Sequence, residues 1–190
     1  MYKFLLILLS VVGMATATSA QQKQDMNSRQ SNHKILVAYF SATGTTARAA
    51  QKVAHATGGE LYAITPAQPY TDADLNWNDS HSRSTVEMQD KSARPEFVGE
   101  VADMAQYDTV FVGFPIWWYE APRIIQTFLE HYDLTGKTVV PFGTSGGSAM
   151  GKTASILQKS CPGAKVLEGR VLRSSAPEKE LSGWVAGMAL

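Results

Sequence analysis

The feature that most constrains this chain is a run of hydroxyl residues around one glycine, placed directly after an apolar segment. Residues 35–40 read Ile-Leu-Val-Ala-Tyr-Phe, a short and partly β-branched run of the kind that forms a buried parallel strand. Ser41, Ala42, Thr43, Gly44, Thr45 and Thr46 follow, and Ala47, Ala49, Ala50, Val53 and Ala54 then mark a helix. A strand, a hydroxyl-rich turn and a helix start together make an anion site. The first amides of the helix point at the turn unpaired, and the macrodipole adds roughly half a positive charge there. Gly44 permits the tight turn, while Ser41, Thr43, Thr45 and Thr46 offer hydroxyls to phosphate oxygens. The stretch has no lysine and matches neither Gly-x-x-x-x-Gly-Lys-Ser/Thr nor Gly-x-Gly-x-x-Gly. A nucleoside-triphosphate loop and a dinucleotide fold are therefore set aside. Hydroxyls and amides without a side-chain cation suit one terminal phosphate monoester. A helix capped by Ser and Thr alone is the plainer alternative; four hydroxyls around a glycine favour phosphate.

The chain has 190 residues, 44% of them hydrophobic, enough for one well-packed domain and short for two. Its beginning reads as a secretory leader: Lys3, an apolar run over 4–12, then small residues up to Ala20. Cleavage after Ala17 or Ala20 fits, and Ala20 is preferred. The run is too short to span a bilayer comfortably, so 1–20 is expected to be removed and the protein exported, to a bacterial periplasm, without stable membrane insertion. Residues 21–32 are polar and aperiodic and read as a flexible lead-in to a domain over 33–190. Lys3 is one of 17 basic residues set against 17 acidic ones, so loss of the leader leaves a net charge near −1. With no basic stripe, nucleic acid is not an expected partner. The single cysteine, Cys161, cannot form an internal disulfide and reads as a small apolar residue past a helix end.

Further along, the glycines at 58 and 59 stop the first helix and 60–64 reads as a second strand. Residues 65–100 are polar and poorly periodic, with helical stretches expected at 72–76 and 79–91; Trp77 and His81 could cover a ligand, or Trp77 could pin the excursion to the domain. Residues 109–114 form a third buried strand, followed by Pro115, Ile116, Trp117, Trp118 and Tyr119. Three consecutive aromatics past the carboxyl end of a strand cost solubility if bare, and a stacked aromatic ligand or a neighbouring loop or subunit would cover them. Pro122 opens a helix with a core stripe of Ile124, Ile125, Phe128 and Leu129. Residues 138–142 form a fourth strand, and Thr144, Ser145, Gly146 and Gly147 lie just past its carboxyl end in a second glycine–hydroxyl loop. A helix over 151–159, a last strand interrupted at Glu168 and Gly169, and a helix after Pro177 complete the pattern.

Strand and helix alternate five times, the signature of a doubly wound α/β fold with a parallel sheet. Ligand-suited loops follow strands one, three and four, and ligands in such sheets bind outside the carboxyl ends at the switch point. Phosphate at the first loop beside aromatics at the second selects a ligand with a phosphate at one end and an aromatic ring at the other, which FMN satisfies.

Ser-x-Thr-Gly-x-Thr after the first strand, Gly-Phe-Pro-Ile-Trp-Trp before an Ala-Pro helix start, and Thr-Ser-Gly-Gly-Ser resemble the three flavin loops of flavodoxins, over roughly 34–190. The resemblance implies a three-layer α/β/α, five-stranded parallel sheet in the order 2-1-3-4-5, and FMN as cofactor. It implies that Ser41, Thr43, Gly44, Thr45 and Thr46 hold the phosphate. Pro115, Ile116, Trp117 and Trp118 would line the isoalloxazine, with one of the two tryptophans stacking. Thr144, Ser145, Gly146 and Gly147 would close its pyrimidine side. No metal ligand and no catalytic acid or base is expected. Electron transfer to a redox partner protein or a small-molecule acceptor is the favoured role. The alternative is an FMN-dependent NAD(P)H:quinone-type oxidoreductase, in which Tyr119, Trp77 or His81 would shape a pocket. The chain lacks the acidity of electron-shuttling flavodoxins, and its excursion at 65–100 is expected to be a cover or a homodimer contact.

Overall fold

A computed structural model of the chain describes residues 33–173 and 175–188; the leader and the 21–32 segment lie outside them. In chain order the strands are β1 (Ile35–Tyr39), β2 (Glu60–Ala63), β3 (Thr65–Pro66), β4 (Phe97–Val98), β5 (Thr109–Pro115), β6 (Thr138–Thr144), β7 (Lys165–Val166) and β8 (Arg170–Val171). The helices are α1 (Thr45–Thr57), α2 (Arg83–Gln89), α3 (Arg123–His131), α4 (Thr153–Ser160) and α5 (Glu178–Ala186), with a 3₁₀ turn at Met104–Gln106. The main sheet runs β2-β1-β5-β6-β7, and β8 pairs with β6 on the side of β7. Every pairing within it is parallel. Setting aside the small antiparallel β3–β4 pair, the order is the expected 2-1-3-4-5. The last strand is interrupted at Glu168 and Gly169, where the sequence breaks its apolar run.

Both faces of this sheet are covered, which is why its central strands read as continuous apolar runs rather than alternating ones. Leu36, Ala38, Val110, Val112 and Val139 point to a layer made by α3 and α4, joining Ile124, Ile125, Phe128, Leu129 and Leu157. Val37, Phe111, Val140 and Phe142 point the other way, to Ala49, Ala50 and Val53 of α1 and Leu181 of α5. The alternation follows from the two-residue period of a strand. Phe128, Leu129, Phe111 and Phe142 are fully enclosed, and each such side chain stabilises the fold by about 1.5–3 kcal/mol relative to exposure. Cys161 sits at the C-cap of α4, buried, with its thiol donating to the Leu157 carbonyl at 3.2 Å. Burial pushes that thiol up to about 11, so it stays protonated and packs as a small apolar residue.

The excursion between β2 and β5 departs from expectation. Its only α-helix among the described residues is α2, capped by Ser82, whose hydroxyl accepts from the Thr85 amide. Residues 72–82 are turns. Asp74 accepts from the Thr71 amide at 2.8 Å, Asn76 from that of Asn78 at 3.2 Å, and Asp79 from that of His81 at 2.8 Å. These local side-chain bonds compete with helix formation and win where no apolar stripe opposes them.

Close packing at the sheet centre makes one glycine testable. Gly113 of β5 pairs with Phe142 of β6, and a Cβ placed on Gly113 would overlap the Phe142 ring. We predict that Gly113→Ala lowers unfolding stability by about 1–3 kcal/mol through overpacking. Adding Phe142→Leu should recover part of that loss. Urea denaturation of the single and double variants checks this, and an unchanged midpoint for Gly113→Ala would refute it.

Candidate functional site

The parallel sheet brings three loops to one edge. The first leaves β1 through Phe40, whose amide donates to the Gly113 carbonyl of β5 at 2.9 Å. It then turns at Gly44, which is left-handed at φ 83° and stands at the N-cap of α1. Among the described residues no side chain caps that helix and its first turn carries no acidic residue, so neither a cap nor a first-turn carboxylate offsets its N-terminal dipole. The Ser41 hydroxyl is buried without a hydrogen-bond partner, an arrangement rare in folded proteins. In the same turn Thr43 is exposed and Thr45 half-buried, while Thr46 is almost wholly enclosed.

The Thr46 hydroxyl is 2.7 Å from that of Thr144, 98 residues away at the end of β6. This buried pair ties the first loop to the glycine loop. Ile116 in the second loop donates its amide to the Thr144 carbonyl at 2.9 Å, so all three loops meet around Thr144. In the glycine loop, the Ser145 hydroxyl accepts from the amides of Gly147 at 3.0 Å and Ser148 at 2.6 Å. Gly146 and Gly147 stand exposed beyond it. The sequence reading treats the amides of this loop as open to a planar ring. The structure leaves less: Ser145 already occupies the Gly147 amide and holds the loop's shape from within.

The two tryptophans, interchangeable in the sequence, separate in the structure. Trp117 lies against Phe40 at a centroid distance of 5.7 Å and against Tyr70 at 5.4 Å, edge-on to both. Trp118 and Tyr119 instead point outward, 44% and 64% exposed. They form a two-residue turn closed by paired bonds of 3.0 Å between Trp117 and Glu120. Both central residues have positive φ, 48° and 64°, the geometry of a type I′ turn that favours Asn and Gly. For bulky side chains each such position costs about 1–3 kcal/mol and persists only under constraint from its surroundings. Two contacts supply that constraint. Glu120 is paired at 2.9 Å with Arg123, a buried guanidinium that also donates to the Met88 carbonyl at 2.7 Å. The Thr153 hydroxyl reaches the Tyr119 carbonyl at 3.4 Å.

Besides the Met88 carbonyl that holds Arg123, the excursion borders this site through Tyr70. Tyr70, which packs on Trp117, lies under the Arg83 guanidinium at 4.1 Å and donates its phenol to Glu87 at 2.5 Å. Burial, reinforced by the Glu87 carboxylate, raises its pKa far beyond the usual phenol range. Trp77 and His81 stand in solvent instead, Trp77 at 72% exposure and His81 beside Asp79 at 3.6 Å. The sequence reading overlooked two cations. Arg123 is one, with no signal beyond its place after Pro122. The other is Arg48, which folds back over the first loop, its Nη2 3.4 Å from the Thr45 hydroxyl. The loop described from sequence as lacking a side-chain cation therefore has one nearby, supplied from the first turn of α1.

The flavodoxin family profile matches residues 34–188. A provisionally named flavoprotein from Bacteroides eggerthii DSM 20697 is 55% identical, with a TM-score of 0.79 over 84% of this chain and 99% of that one. A second, from Bacteroides uniformis ATCC 8492, is 50% identical, with a TM-score of 0.77 over 82% of this chain and 99% of that one. A flavoprotein from Lactobacillus acidophilus NCFM, solved in complex with FMN, shares the fold at 24% identity, with a TM-score of 0.61 over 80% of this chain and 99% of that one. No curated protein matches the chain. With 155 consecutive positions of the profile's span running from β1 to the end of α5, the chain belongs to the flavodoxin family.

Proposed function

We propose that the protein binds FMN across the three loops and serves in electron transfer. One observation carries the cofactor reading: a buried Ser41 hydroxyl without a partner stands beside an uncapped helix N-terminus, so a phosphate would complete both at once. Kinship with the Bacteroides flavoproteins supports a flavin, and a site suited to one terminal phosphate favours FMN over a flavin without phosphate. When bound, FMN supplies the electron-carrying ring system, and the protein supplies its position and surroundings. Ser41, Thr43, Gly44, Thr45 and Thr46 would hold the phosphate. Pro115, Ile116 and Trp118 would line the ring, with Trp117 acting behind them as a packing support. Thr144, Ser145, Gly146 and Gly147 would border the pyrimidine side, Thr144 and Ser145 chiefly by fixing the loop.

The outward turn of Trp118 and Tyr119 favours electron transfer, because it presents aromatic surface at the edge where a redox partner would meet the cofactor. The same open edge admits a small molecule, which is the basis of the alternative: an FMN-dependent NAD(P)H:quinone-type oxidoreductase. Among the described residues no helix is long and apolar enough to cross a membrane. Export to the periplasm rests on the leader at 1–20.

Three outcomes are expected. Ser41→Ala removes a buried hydroxyl that has no partner in the free protein, so its unfolding stability should be unchanged or slightly raised. Its FMN affinity should fall about tenfold, as for the loss of roughly 1.4 kcal/mol. Calorimetric titration with parallel denaturation reads both; unchanged affinity removes Ser41 from the phosphate site. In the second experiment, the FMN-loaded protein is mixed anaerobically with NADPH and then dithionite. Bleaching of the flavin spectrum by dithionite alone supports the electron carrier, and rapid bleaching by NADPH selects the oxidoreductase. Third, N-terminal sequencing of protein recovered from periplasm should begin at Gln21; full-length chain retained in the cytoplasm contradicts export.

A further inference from the structure

We infer that Arg48 is a specificity-determining residue, the cation that makes the site select a phosphorylated flavin over the same flavin without its phosphate. The inference rests on the FMN reading above and deepens it. Arg48 is the fourth residue of α1, and side chains on a helix lean toward its N-terminus. The guanidinium therefore falls over the first loop. Its Nη2 lies 3.4 Å from the Thr45 hydroxyl, and its Nη1 lies 3.4 Å from the point where a Cβ on Gly44 would stand. A Cβ there would meet the guanidinium in ordinary contact, so the placement of the cation beside the turn is what the distance shows. Gly44 itself is required by its left-handed φ of 83°.

The charge at this place is unfavourable on its own. Cations are stabilised at helix C-termini and disfavoured at N-termini, and α1 has no acid in its first turn to offset it. Arg48 has no carboxylate partner among the described residues, whereas Arg83, Arg94, Arg123 and Arg170 all do. A dianionic phosphate at the turn would answer the dipole and the guanidinium together. The planar donor fork of arginine suits two phosphate oxygens at once. Hydroxyls and amides alone would hold a phosphate, but they discriminate less against its absence than a full positive charge does.

The test titrates wild type, Arg48→Gln and Arg48→Lys with FMN and with riboflavin at low and moderate salt, following quenching of flavin fluorescence. Arg48→Gln should weaken FMN binding about tenfold and leave riboflavin within about twofold of wild type. Salt should weaken FMN binding to wild type more than to Arg48→Gln. Arg48→Lys should keep the salt dependence and recover part of the affinity. Unchanged FMN affinity in Arg48→Gln, or equal loss for both flavins, overturns the role given to Arg48 while leaving the cofactor in place. A wild-type protein that takes up neither flavin, or takes up both equally, overturns the phosphate reading itself and Arg48 with it.

Discussion

The loops after β1, β5 and β6 meet because the main sheet is parallel throughout, so each strand discharges its chain at the same edge. The ladder from Tyr39 to Gly113 and from Pro115 to Thr144 sets their heights to within a residue. On this frame a single hydroxyl pair, Thr46 with Thr144, closes the gap between loops nearly a hundred residues apart. Both groups are buried, so their bond is made in a poorly screened interior where an unmet hydroxyl would be costly. Removing either would free the N-terminal turn of α1 from the glycine loop. The site is in this sense assembled by the sheet and locked by two threonines.

Much of this was legible in the sequence, for physical reasons. Strands covered on both faces must be apolar along their whole length, and residues 35–40, 109–114 and 138–142 announce themselves in that way. The first loop was legible because few structures need a glycine among so many hydroxyls. What escaped was set by three-dimensional contact. Nothing in Trp117-Trp118-Tyr119 says that the first ring turns inward onto Phe40 while the next two turn out. That outcome depends on two left-handed residues and on Arg123 reaching back to Glu120. Arg48 escaped because a motif is read as contiguous, whereas a helix returns its fourth residue to the start. The stretch 72–82 was misread as partly helical because its Asp and Asn side chains bind their own backbone, a preference that mean polarity does not reveal.

The excursion also gains meaning from one contact. Tyr70 carries Arg83 above its ring and Glu87 at its hydroxyl, and its other flank is Trp117. Through that ring the 65–100 segment stiffens the second loop from behind, although its most exposed aromatic, Trp77, takes no part. The excursion thus acts as a buttress, and the bulk of its polar surface faces water.

The left-handed turn at Trp118 and Tyr119 has a consequence on the timescale of lineages. A glycine at either position would relieve backbone strain, so among random substitutions here those that raise stability also erase an aromatic ring. Stabilising changes of this kind are readily available to a protein, and their recurrent cost is function where activity needs the strained residue. Were these rings to serve the flavin edge, selection for function and selection for stability would pull in opposite directions at this pair, and the identity of the two residues in any descendant would record which prevailed.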